Sequence, residues 1–167
     1  MQVEKTIRET LTQLQQVLGQ LSADEYTAQP AILNGSSIGQ HCRHLLDAFV
    51  CLENGYDTGI INYENRNRNK DIEQHKETAQ KHIEAILHHL NKPEKSLTLC
   101  ANYSIEDSAI EEYKTSYTRE LAYALEHAVH HTALIGVGIK VVAPNVVVPK
   151  NFGVASSTVK YRNSLAQ

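Results

Sequence analysis

Apolar residues recur at helical spacing in four stretches of the chain, separated by polar or breaker-rich connections. Over residues 3–22, Val3, Ile7, Leu11, Leu14, Val17, Leu18 and Leu21 share one stripe, with Gln and Glu on the other faces, which predicts a first amphipathic helix. Ser22 to Gly35 reads as a connection, with Pro30 and Asn34-Gly35 as breakers. A second helix starts after Ser36-Ser37, either of which can cap it. Its core stripe is Ile38, Cys42, Leu45, Phe49 and Leu52, and Gly55 suits its end. The polar stretch from Asp57 to Lys70 is long for a turn between bundle helices. A third helix is predicted from Asp71 to about Asn91, with Ile72, Ala79, Ile83, Ile86 and Leu90 facing inward.

Two short runs follow, Leu97 to Tyr103 and Ile110 to Thr118, whose Thr, Tyr, Leu and Ile content fits a small hairpin. The fourth helix runs from about Thr118 to Val142, is the most apolar of the four, and ends before Pro144. From Pro144 to Gln167 the chain reads as extended and irregular, with enough apolar content to pack back on the domain. The pattern therefore predicts an all-α four-helix bundle in one domain over residues 1–167. It has a long connection between helices two and three and a small hairpin before helix four.

The composition narrows this picture. A chain of 167 residues suits one domain with a real core. The net charge of −3 and the absence of a basic stripe argue against nucleic acid as a partner. No apolar leader and no membrane-length span occur, so the expectation is a cytoplasmic protein without membrane contact. Cys42, Cys51 and Cys100 form no CxxC pair and read as free thiols of a reducing compartment, with Cys42 also open to a functional role beside nearby histidines.

Those histidines carry the candidate chemistry. In His127-Ala128-Val129-His130-His131, His127 and His131 lie four apart and point the same way from a helix, one turn apart, so they can share one metal ion. Ala at 128 rules out an HExxH protease motif. A helical wheel puts Leu121, Ala128, Thr132, Ile135 and Ile139 at the buried centre, His127 and His131 together on one edge, and His130 away from the core. On the second helix, His41-Cys42-Arg43-His44 offers two candidates for a third ligand, and periodicity alone puts His41 nearer the core. The same spacing also suits ordinary hydrogen-bonded histidines. His75, His82, His88 and His89 on the third helix read as solvated or flanking residues.

Taken in order, Ser37-Ile38-Gly39-Gln40-His41-Cys42-Arg43-His44-Leu45-Leu46-Asp47 and Glu126-His127-Ala128-Val129-His130-His131-Thr132-Ala133 resemble the two motifs of the DinB-like (YfiT-like) metalloenzyme superfamily. The similarity runs from the first helix to about Ile139, and residues 62–68 look like a loop of one subgroup. Alignment on His-Leu implies His44, with His127 and His131, as the metal-ligand set. Thr132-Ala133 stands where many relatives carry Arg-Gly, which weakens transfer of function more than of fold.

The resemblance implies a divalent-metal site, with zinc or nickel suited to imidazole. It also implies a metal-dependent enzyme acting on a small molecule, either a transferase using bacillithiol, mycothiol or a similar thiol, or a hydrolase. The alternative is a non-catalytic metal-binding or dimerising bundle in stress response. Asp47 is a candidate to orient an imidazole. Arg66, Arg68 and Arg119 are candidates to hold a substrate carboxylate, although pairing of Arg66 and Arg68 with Asp71 or Glu73 is the favoured reading. Tyr63 and Tyr117 are candidate proton donors or else hydrogen-bonded core tyrosines. The exposed side of the apolar fourth helix predicts a homodimer.

Overall fold

A computed structural model describes residues 1–166. Four long helices make up nearly half of it: α1 (Gln2–Gln20), α3 (Ile38–Thr58), α5 (Lys76–His89) and α6 (Tyr117–Val142). Short helices α2 (Ala23–Thr27) and α4 (Lys70–Gln74) fall in the connections, and α7 (Ser156–Leu165) follows α6. Each long helix packs on two others, α1 on α5 and α6, and α3 on α5 and α6. Their apolar stripes meet in one core that includes Ile7, Leu11, Leu14, Leu45, Phe49, Ile83, Leu121 and Ile135.

The protein is mostly helical but not all-α. Strands β1 (Ile60–Ile61), β2 (Ser96–Ala101) and β3 (Glu111–Ser116) form a small sheet in the order β1-β2-β3. β2 and β3 are the expected hairpin, antiparallel with Ser96 opposite Ser116. β1 joins β2 in parallel, with Ile61 opposite Leu99, and was not visible as a strand because two residues give no alternation to read. Along β2, Leu97, Leu99 and Ala101 point into the core at period two.

α3 begins at a reciprocal cap. Ser37 Oγ accepts from Gln40 N, and Gln40 Oε1 accepts from Ser37 N, both at 3.0 Å. The helix runs past Gly55 and stops at Gly59, whose φ of 81° is left-handed and suits only a residue without Cβ. Nearer its start, Gly39 lets α4 come close: a Cβ there would overlap the Glu73 carbonyl oxygen and the Tyr26 ring.

The predicted third helix is broken in two. His75 is extended (φ −128°, ψ 107°) between α4 and α5. The cause lies elsewhere in the chain. Tyr26 donates its hydroxyl to the Ile72 carbonyl at 2.6 Å, taking the acceptor that a continuous helix would offer to the Lys76 N–H. Lys76 also reaches back to the Leu21 carbonyl at the end of α1.

The tail expectation is half met. Val146, Val148 and Phe152 pack against the core, and Gln20 clasps both the N–H and the carbonyl of Val147, at 2.9 and 3.1 Å. Residues 156–165, however, form α7 rather than an irregular strand, with no buried residue and so no strong periodicity to reveal it. Among the described residues no helix is long and apolar enough to cross a membrane.

Gly39→Ala separates two opposing effects. Helix propensity alone favours Ala by about 1 kcal/mol. Overlap with α4 backbone costs about 1–3 kcal/mol. The expected outcome of urea unfolding is a net loss of stability, and a variant as stable as the parent would show that α4 yields freely.

Candidate metal centre

α3 and α6 are the most extensively packed pair of helices. Ala124 and Ala128, small residues on α6, are buried at 1% exposure. Imidazoles on the edges of the two stripes are thereby brought together. His44 projects from α3, His127 and His131 from successive turns of α6. Ring centroids lie 5.0 Å apart for His44–His127, 4.6 Å for His44–His131 and 4.6 Å for His127–His131. One nitrogen from each ring falls within 4.8 Å of the other two. Three imidazoles at this spacing can hold one metal ion.

His41 does not join that group. Its Nδ1 lies 3.1 Å from Nδ1 of His131, a hydrogen bond between the two rings. Both α3 histidines singled out from the sequence therefore meet the α6 pair, in different ways. His130 is exposed, as its place on the wheel required. On α4 and α5, His75, His88 and His89 are exposed and His82 faces Asn69 at 3.5 Å, so none approaches the cluster.

The cluster disfavours protons. Burial, then the neighbouring His127, His44 and His41, push His131 down to about 3. Burial, then the Arg66 guanidinium and His127, push His44 down to about 4. Burial lowers His41 and His127 as well. The rings are neutral at pH 7, the form in which imidazole binds a metal, so the donor set fits a divalent ion.

Several helpers are placed differently from expectation. Asp47 is buried, 3% exposed, but bonds to no imidazole among the described residues. It faces Arg43 at 4.0 Å, and burial raises its carboxyl to about 6 despite Arg43 and Arg66 nearby. Arg43 also pairs with Glu73 at 2.7 Å, which ties α3 to α4 and leaves Glu73 engaged. Arg66 is thus not the partner of Glu73. It donates to the Tyr63 carbonyl at 2.6 Å and rests 3.4 Å from His44 Nδ1, long for a hydrogen bond. Arg68 is exposed. The tyrosines are spent on carboxylates, Tyr63 on Glu120 at 2.8 Å and Tyr117 on Glu53 at 3.3 Å. Cys42 is sealed in the core with its thiol pushed up to about 12 by burial, which makes it inert.

A cleft of about 220 Å³ lies beside the cluster, walled by Tyr63, Arg66, Leu99, Tyr103, Arg119 and Tyr123. Tyr123 connects the two, its ring stacked 5.8 Å from that of His127. Arg119 also lies over this ring, 5.7 Å from its centre. Tyr123 precedes His127 by four residues, so helical spacing could have found it. Leu99 and Tyr103 come from the hairpin, where no local signal exists. Glu120 was also missed. It is wholly buried and accepts from Tyr63, Thr115 (2.6 Å) and Arg119 (2.9 Å), which fixes loop, hairpin and α6 to one carboxylate.

The lowered histidine values have a thermodynamic consequence in the metal-free protein. The unfolded chain takes protons near pH 6.5, whereas folded His44 and His131 resist them until about 4 and 3. Their contribution is complete above about pH 6.5 and is lost as pH falls below it. Asp47, raised to about 6, acts with the opposite sign over part of this range. Chelator-treated protein is expected to lose stability in urea between pH 7 and pH 5, and His44→Gln/His131→Gln to lose less. Equal slopes would contradict the desolvated cluster.

Against known proteins, the chain matches the DinB family over residues 2–141. It is also 32% identical over 108 residues to FK506-binding protein 5 of Rhizopus delemar, a match covering 61% of this chain and 27% of that protein. The chain thus spans about a quarter of that relative's length. No solved structure matches. With a family match that takes in every long helix and all four clustered histidines, the chain belongs to the DinB family.

Proposed function

We propose that this protein is a metal-dependent enzyme acting on a small molecule, with His44, His127 and His131 as the ligands of one divalent ion, zinc or nickel. The ring of α1, α3, α5 and α6 is read as the family's four-helix bundle, with the sheet as an addition at one end. The observation that carries the proposal is the convergence of three neutral imidazoles beside a cleft. A divalent ion on three imidazoles would leave a position for a substrate group and would favour that group's deprotonated form.

The chain's own residues define the rest. Tyr123 stacks on His127 and forms a cleft wall that touches the cluster, as Arg66 does beside His44. Arg66 and Arg119 bring positive charge to the same space, Arg119 paired with Glu120 and the Glu64 carboxylate lining the cleft as well, so Arg66 is the group that suits a substrate carrying or developing negative charge. A volume near 220 Å³ is below the usual range for drug-sized ligands and selects a small one. Cys42 is inert, and burial raises Cys51, whose thiol donates to the Asn62 carbonyl. A nucleophilic sulfur would therefore enter with the substrate, which favours transfer of a small thiol to an electrophile over protein-thiol chemistry. Hydrolysis of a small substrate is the second reaction class for the same site. Val137 and Val141 on the outer face of α6 are 41% and 58% exposed and support a homodimer, which light scattering would exclude by finding a monomer.

Metal analysis of untagged protein is expected to find close to one ion per chain, lost in His127→Ala/His131→Ala. Metal absent from the parent after incubation with zinc and nickel would overturn the proposal. Bound metal without turnover across a panel of thiols, electrophiles and esters would leave a non-catalytic metal-binding protein. Where turnover is found, Tyr123→Ala is expected to keep the metal and raise KM roughly two- to tenfold, the loss of one aromatic contact.

A further inference from the structure

We infer that His41 is the positioning residue of the site: its Nδ1 accepts the Nδ1 proton of His131 and so leaves Nε2 of His131 as the nitrogen available to a metal. This inference rests on the reading of His44, His127 and His131 as ligands. An imidazole can ligate through one nitrogen only when its proton sits on the other, and a partner that accepts that proton fixes both tautomer and ring orientation. The 3.1 Å contact joins the Nδ1 atoms of the two rings, and neither side chain has another hydrogen bond among the described residues.

The acceptor in this role is usually a carboxylate or a carbonyl. Here no acid among the described residues bonds to His41 or His131: Glu73 pairs with Arg43 at 2.7 Å and Asp47 faces Arg43 at 4.0 Å. His41 Nε2 is buried without a partner, so no acid draws negative charge into the ring from its far side. His41 therefore holds the His131 proton as an uncharged imidazole. It stands on α3, three residues before His44, so the same helix supplies a ligand and the group that orients a ligand on α6.

The test is zinc titration of metal-free protein for the parent, His41→Phe and His41→Gln, with 15N NMR of the histidine rings. Phe keeps the ring volume without an acceptor, and the Gln amide oxygen can take the same proton. The expected result is a 10- to 100-fold loss of zinc affinity in His41→Phe, substantially restored in His41→Gln. In the zinc-loaded parent, His131 should show a protonated Nδ1 and a metal-bound Nε2, with the Nδ1 proton exchanging faster in His41→Phe. Unchanged affinity in His41→Phe overturns the inference alone. So does an equal loss in both variants, which marks a packing role, or a metal-bound 15N shift on His41, which makes it a fourth ligand. Failure of the parent to bind zinc overturns the inference together with the three-histidine reading.

Discussion

The site depends on the seam between α3 and α6. Burial of two apolar stripes drives the pairing, and histidines at the edges of those stripes meet across it. Four imidazoles are carried into the seam by that packing rather than by any attraction among themselves. Desolvation then keeps them neutral, since each proton added would place a charge beside other rings and beside Arg66. A cluster of this kind costs the metal-free fold acid stability. The packing of the rest of the core absorbs that cost.

The second structural constraint is the attachment of the hairpin and the long connection to α6. One carboxylate, Glu120, does most of this. It takes hydrogen bonds from Tyr63 in the connection, Thr115 at the end of β3 and Arg119 beside it on α6. Fully satisfied, a buried carboxylate is tolerated and specifies geometry. The result is that Tyr63 and Arg66 stand across from Tyr123, and β2 supplies the apolar floor through Leu99. The cleft is therefore made partly by elements outside the four long helices, with Arg119 and Tyr123 of α6 completing its wall, whereas the imidazoles come from α3 and α6 alone.

That division explains what could be read from the sequence. The long helices and the i, i+4 pairing of His127 and His131 follow from periodicity, and the hairpin from residue content, both of which are local. Choosing between His41 and His44 required the depth of contact between two helices, and the structure gives each a separate place: His44 in the convergent group, His41 on His131. The break at His75 was illegible because its cause, the Tyr26 hydroxyl on Ile72, lies 46 residues away. The pairing of Arg43 with Glu73 was hidden for the same reason, and it also explains why Arg66 was free to turn toward Tyr63 and His44. Strand β1 and helix α7 were missed on other grounds, one being too short and the other lacking a buried face.

The charge balance of the site gives the arrangement a chemical direction. Had Asp47 oriented an imidazole, its negative charge would have offset part of a bound cation's. Instead Asp47 faces Arg43 at 4.0 Å, and the contact to His131 is made by another imidazole. The charged groups around the imidazoles are mixed: Arg66 lies 3.4 Å from His44, and the cleft is lined by Arg119, which pairs with Glu120 at 2.9 Å, and by the Glu64 carboxylate. Arg66 is the one of these in contact with an imidazole of the cluster. On the proposed reading, a small thiol able to lose its proton would place its negative charge beside a bound ion. In the proposed hydrolysis the same ion would favour hydroxide over water. The two proposed reactions then differ in the shape and reactivity of the small molecule that the cleft would admit.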